Sequence, residues 1–134
     1  MTNQKVRNIG THLMMTIVEC NNERLQDYDR MYGLLKHLPN KIGMSLIDVK
    51  PNPILHSCYS PKNPLNYGLS GFSLLHESHC SLHAFPEENT IDMDIFSCYD
   101  FDWQKALYVV EVFFRGKAIN VSVVKRGDNR KCLE

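Results

Sequence analysis

Two stretches of the chain repeat one pattern. Met15–Cys20 (MTIVEC) and Met93–Cys98 (MDIFSC) both read Met-x-Ile-x-x-Cys, with apolar and other residues partly alternating. Period two predicts a half-buried strand. Each stretch then passes through polar residues into a helical period. In the first, Leu25, Tyr28, Met31, Leu35 and Leu38 form one stripe, with Asn21 or Asn22 placed to cap it and Pro39 to stop it. In the second, Trp103, Ala106, Leu107, Val110 and Phe114 form the stripe, Asp102 caps it and Gly116 closes it. Strand-like stretches follow both helices, at Met44–Lys50 and Ala118–Lys125. The order predicts two strand–helix–strand halves. Chance similarity of short apolar segments is the alternative for the Met-x-Ile-x-x-Cys echo alone; duplication also accounts for the matching order of elements.

Between the halves, Pro51–Gly68 holds four prolines and predicts a surface loop or an irregular edge segment, because proline cannot donate to a ladder. Two more strand-like runs follow, Leu69–Ser78 and His79–Phe85. The expected fold is α+β, a two-layer sandwich in which two helices cover one face of an antiparallel sheet. The other face then needs a partner chain or its own polar coat.

At 134 residues the chain fits a single domain, 1–134, with enough length for a real core. No run approaches the ~18 apolar residues of a membrane span, and MTNQKVRNIG lacks the apolar stretch of a secretion signal. Lys plus Arg and Asp plus Glu both number 15, so net charge steers the protein toward neither nucleic acid nor membrane. The basic last ten residues, KRGDNRKCLE, read as a solvated tail. Cysteines 20, 58, 80, 98 and 132 are odd in number and read as free thiols, which fits the cytoplasm.

The chemistry concentrates in His76–Glu87, HESHCSLHAFPE. His76, His79, His83, Cys80 and Cys98 are zinc-ligand types, but neither HExxH nor paired CxxC spacing is present, and strand alternation scatters them over two faces. No metal is expected. Ser78 lies in no Gly-x-Ser-x-Gly elbow, which speaks against a hydrolase nucleophile. Taken singly, each residue also has a bland reading: histidines on a polar strand edge, cysteines filling a core.

Together they are more specific. Gly68-Leu69-Ser70-Gly71, Glu77-Ser78-His79, the run Ser81-Leu82-His83-Ala84-Phe85-Pro86-Glu87, and Asp94-Ile95-Phe96-Ser97-Cys98 follow one another at fixed spacing. This series resembles the prokaryotic S-adenosylmethionine decarboxylases, small self-processing enzymes of spermidine synthesis. The leading GTHLMMTIVEC and the WQKAL helix extend the similarity over most of the chain.

The resemblance implies that Ser78 is the precursor of a pyruvoyl cofactor. Its hydroxyl would attack the Glu77 carbonyl, and elimination would split the chain into a β chain, 1–77, and an α chain, 78–134. The pyruvoyl carbonyl would then form a Schiff base with the substrate's amino group and take up electrons as CO2 leaves. By the same resemblance His83 serves processing, Ser70 supports it, and Cys98 donates a proton to the product carbanion. Phe85 and Glu87 become candidates for S-adenosylmethionine contacts, and Cys20 keeps a packing role. The family also implies a homodimer of processed αβ units, with sites at the interface. Ser78 and His83 differ by an odd number of positions, so a flat strand sets them on opposite faces. If both serve one site, the backbone must bend near Ser78.

The pocket motif departs from the family. Its usual Phe-x-Pro-x-Gly is Pro64-Leu65-Asn66-Tyr67-Gly68 here, with Tyr67 the substitute aromatic. Tyr99 replaces the glycine after Cys98, and Cys80 and Ala84 replace an aliphatic residue and a threonine. Two alternatives therefore stand beside S-adenosylmethionine decarboxylation: the same pyruvoyl chemistry on ornithine or arginine, and an unprocessed paralogue that regulates a partner.

Overall fold

A computed structural model of the protein describes residues 10–127, with the side chains of residues 64–66 excepted. Most of the basic tail, Cys132 and the first nine residues lie outside them. Six strands form one antiparallel sheet: β1 (Gly10–Val18), β2 (Ile54–Ser60), β3 (Asn63–Leu74), β4 (Ser78–Phe85), β5 (Thr90–Ser97) and β6 (Lys117–Arg126), in the order β2-β3-β4-β5-β1-β6. The helices are α1 (Asn22–Gln26), α2 (Tyr28–Lys41) and α3 (Trp103–Phe114), and a short 3-10 turn spans Pro86–Glu88. The architecture is the expected α+β sandwich.

The Met-x-Ile-x-x-Cys echo has a spatial counterpart. β1 and β5 are neighbours in the middle of the sheet, and Met15 lies directly opposite Met93. Alternation along both strands sends Leu13, Met15, Ile17, Ile91, Met93 and Ile95 into the core beneath the helices. From the helices come Leu25, Met31, Leu34, Leu35 and Leu38, then Ala106, Val110 and Phe114, recurring at helical spacing. Cys20 and Cys80 join them as small apolar fillers.

Caps and close approaches fix the helices. Asn21 accepts from the Arg24 N–H to start α1, Asp27 from Arg30 to start α2, and Asp102 from Lys105 to start α3. Asp27 thus breaks the expected first helix into two. Tyr28, assigned to the buried stripe, is 47% exposed there, and its hydroxyl donates to the Leu55 carbonyl at 2.8 Å. Pro39 does not stop α2, which runs two residues further. Gly116 works by size: a Cβ there would stand 2.7 Å from the Val18 carbonyl oxygen and 2.6 Å from Ile17.

The return from α2 differs from the sequence expectation. In Met44–Lys50 only Leu46 pairs, as an isolated bridge to Leu75. The Asn52 side chain substitutes for a strand here: its amide donates to the Ile47 and Leu74 carbonyls and its carbonyl accepts the Leu74 N–H, all at 2.8–2.9 Å. The proline-rich segment supplies the edge strand β2 and the start of β3.

Burial sets the thiols apart. It pushes Cys20 up to about 11 and Cys80 up to about 12, while Cys58 is exposed. Iodoacetamide at pH 8 is therefore expected to label Cys58 in the native protein and to reach Cys20 and Cys80 only after denaturation, as read by peptide mass mapping. Both buried thiols stay protonated when folded but ionise in the unfolded chain above about pH 8.5. Their contribution to stability is complete below that pH and is lost as pH rises toward 11–12.

Candidate active site

β3 and β4 are joined by a turn so tight that only His76 and Glu77 lie between the paired residues Leu75 and Ser78. The Leu75 N–H donates to the Ser78 carbonyl at 3.0 Å. The Glu77–Ser78 peptide therefore sits where the chain reverses at the rim of the sheet. The next strand reaches it: β5 ends with Ser97 opposite Ser78, and the N–H of Cys98 donates to the Glu77 carbonyl at 2.9 Å. A carbonyl held by a fixed N–H is polarised toward attack, and the same donor stabilises the oxyanion that attack creates. Ser78 and Cys98, both partly exposed, meet at this end of the sheet.

The strand positions behind Cys98 are anchored. Thr11, paired with Ser97, donates to Asp100 at 2.7 Å, and Lys125 on β6 contacts Thr11 at 2.9 Å and Asp100 at 2.8 Å. The hydrogen bond and charge of Lys125, with help from Thr11, hold the Asp100 carboxyl below its ordinary range. Tyr99, which follows Cys98, is 53% exposed, and its N–H donates to the Ser97 hydroxyl at 3.1 Å.

Ser70 and His83 form a second pair elsewhere. They face each other across β3 and β4, with Ser70 Oγ 3.1 Å from His83 Nδ1. His83 continues the row to Asp92 and Thr16, whose hydroxyl donates to Asp92 at 2.7 Å. Cys58 Sγ lies 3.9 Å from Ser70 Oγ. This row is on the face that no helix covers. Ser78 and His83 are five positions apart on a regular ladder, roughly 16 Å along the strand, and fall on opposite faces. The bend near Ser78 comes before it, in the turn, and so does not bring the two together.

Phe85 follows His83 on the uncovered face, and Glu87 is exposed in the adjoining 3-10 turn. Tyr67 lies opposite Tyr59 with ring centroids 5.5 Å apart, but it packs against the core on the helix side. It shares no face with Phe85. The expected site residues thus fall into two groups, Glu77, Ser78 and Cys98 at one end of the sheet, and Ser70, His83, Phe85 and Glu87 toward the other.

Of the remaining histidines, His79 stacks on Phe72 at 5.4 Å and approaches Phe96 at 5.9 Å on the uncovered face. Burial, with the neighbouring His12, lowers its pKa. Arg126 lies 4.3 Å over Phe96, His12 is 3.8 Å from Asp94, and Ile54, Leu74 and Val124 are exposed on the same surface. His76 is exposed in the turn. Among the described residues no group of three or more His, Cys, Asp or Glu side chains is arranged to hold a metal ion, and no helix is long and apolar enough to cross a membrane. Sequence reading missed the main-chain N–H groups of Cys98 and Ser45, Cys58 beside Ser70, and the Thr16–Asp92 pair. Backbone donors carry no side-chain signature, and the others depend on strand register.

Comparison with known proteins identifies the family. The family model described as S-adenosylmethionine decarboxylase matches residues 11–127. An S-adenosylmethionine decarboxylase proenzyme of Methanococcus aeolicus is 27% identical over 123 residues, 91% of this chain and 97% of that protein. The proenzyme of the same name from Thermodesulfovibrio yellowstonii is 29% identical over 121 residues, covering 89% and 82%. The fold is shared with the crystal structure of the adenosylmethionine decarboxylase from Aquifex aeolicus, at a TM-score of 0.68 and 20% identity over 90% of this chain and 92% of that one. With nearly all of its described residues inside the family match, this chain belongs to the S-adenosylmethionine decarboxylase family.

Proposed function

We propose that the chain is a self-processing pyruvoyl-dependent decarboxylase that converts S-adenosylmethionine to the aminopropyl donor of spermidine synthesis. One observation carries the self-processing: the Glu77 carbonyl, next to the Ser78 hydroxyl, accepts the Cys98 N–H at 2.9 Å inside a two-residue turn. Ser78 Oγ adds to the Glu77 carbonyl carbon, the Cys98 N–H takes the developing negative charge, and the Glu77–Ser78 C–N bond gives way to an ester. Loss of the Ser78 α-proton then breaks its Cβ–Oγ bond. Glu77 leaves as the carboxylate end of the 1–77 chain, and the dehydrated residue takes up water and releases ammonia. Ser78 is placed to become the pyruvoyl group, which supplies an electron sink for loss of CO2 from an α-amino acid. Cys98 remains beside it with a thiol that can deliver a proton to the α-carbon. Free thiols at Cys20, Cys58, Cys80 and Cys98 support a cytoplasmic setting.

The division of the site supports a homodimer. Ser70 and His83 cannot reach Ser78 of their own chain, and the face that carries them also exposes Ile54, Phe72, Leu74 and Val124. A second copy packed on this face in the opposite direction brings its Ser70, His83 and Phe85 toward the Ser78–Cys98 end. This arrangement covers the apolar side chains and completes the site with a base and an aromatic contact for the substrate.

A second reading, with ornithine or arginine as substrate, is favoured by one detail. Tyr67 packs on the helix side, away from Phe85, and so does not replace the aromatic that the family motif supplies.

Two experiments test these readings. Release of CO2 from S-adenosylmethionine, ornithine, arginine and lysine by the purified protein is expected for S-adenosylmethionine and is expected to be absent in Ser78→Ala. Preference for a plain amino acid would replace the first reading with the second. Co-expression of tagged His83→Ala chains with Ser78→Ala chains is expected to yield cut His83→Ala chains, while each variant alone stays whole. If co-expressed His83→Ala chains stay whole although mixed dimers form, the shared site is wrong.

A further inference from the structure

The turn that carries the Glu77–Ser78 bond is also gripped from a segment outside the site motifs. Met44–Asn52 folds over it as a clasp. The Ser45 N–H donates to Glu77 Oε1 at 2.9 Å, and the Ser45 carbonyl accepts the His76 N–H at 2.9 Å. Beside them the Ile47 N–H donates to the Leu74 carbonyl at 3.0 Å, Leu46 bridges Leu75, and Asn52 bonds both the N–H and the carbonyl of Leu74. Glu77 is therefore held at two points, its main-chain carbonyl by Cys98 and its side chain by Ser45.

We propose that the Glu77 carboxylate is a positioning group for cleavage of its own peptide bond: anchored on the Ser45 amide, it keeps the Glu77 carbonyl on the Cys98 amide and within reach of the Ser78 hydroxyl. This rests on the self-processing reading. A glutamate side chain left free in a two-residue turn keeps its rotamer freedom. Tying it down restricts the rotation of the one residue whose carbonyl must stay aligned for attack. Alignment of this kind is worth orders of magnitude in rate when reacting atoms are adjacent in sequence but free to turn away. The partner of the carboxylate is a main-chain N–H, too weak an acid to give up its proton, so in this contact the group is a hydrogen-bond acceptor and not a base. A glutamine oxygen can fill the same role.

The test is a time course of cleavage in freshly translated protein, compared for wild type, Glu77→Gln and Glu77→Ala from pH 6 to 9. Glu77→Gln is expected to cut within about threefold of wild type with the same pH profile, and Glu77→Ala at least about tenfold more slowly, near 1.4 kcal/mol of barrier. Thermal midpoints are compared in the uncut Ser78→Ala background, where adding Glu77→Ala is expected to leave the protein folded at the assay temperature. Glu77→Ala cutting at the wild-type rate overturns the inference and leaves self-processing intact. Loss of cleavage in Glu77→Gln overturns it in favour of proton transfer, and unfolding of the double variant overturns it in favour of a structural role. If wild type itself stays whole, the self-processing reading falls, and this inference falls with it.

Discussion

Alternation along the central strands divides the chemistry of this chain between two sides of one sheet. Every second residue of β1, β4 and β5 goes beneath the helices, and the residues between them go to a face that no helix covers. The first set is almost wholly apolar and makes the core. The second holds His12, His79, His83, Asp92 and Asp94 together with Phe96, a mixture too polar for a core and too apolar for a free surface. Because the ladder between β4 and β5 runs unbroken from Ser78 to Phe85, no local adjustment can move His83 to the side or end where Ser78 lies. The proposed pairing with a second chain rests on that regularity.

The bond proposed to react, Glu77–Ser78, escapes this constraint by lying at the end of the ladder. A turn residue has free main-chain groups, and the neighbouring elements supply their partners: Cys98 from the end of β5 and Ser45 from the irregular segment after α2. The end of β5 and the segment after α2 thus deliver one amide each to the same residue, while the Lys125–Asp100–Thr11 group fixes the sheet behind Cys98. A site built from backbone donors on rigid elements needs little reorganisation during reaction, which is where such donors gain their effect.

Much of this was legible in the residues, for identifiable reasons. The period-two stretches around Met15 and Met93 predicted half-buried strands, though not that they are neighbours, and the stripes ending at Leu38 and Phe114 predicted the helices, because burial imposes those periods. Asp102 was readable as a cap, but Asp27 was not, since the apolar stripe runs through it without a break. Met44–Lys50 reads as a strand by composition, yet the Asn52 side chain takes up the Leu74 groups that a strand would have paired. The prolines around Ile54–Ser60 pointed to a surface loop or an irregular edge, and β2 is an edge strand. The motif residues were recognisable only as an ordered series at fixed spacing. What spacing could not tell was their grouping, since the Ser70–His83 contact and the Cys98–Glu77 bond both depend on strand register and turn geometry.

The account stands most directly on the fate of the Glu77–Ser78 bond. A denaturing mass spectrum of the recombinant protein, taken beside a Ser78→Ala control, reads it. The expected result is two fragments from wild type, residues 1–77 and 78–134, roughly 9 and 6.5 kDa by proportion to chain length. The second should be lighter by one ammonia than its serine-ended peptide, and the control should stay whole. Intact wild-type chain under conditions that allow processing would contradict the account, and would leave the fold as that of a non-catalytic member of its family.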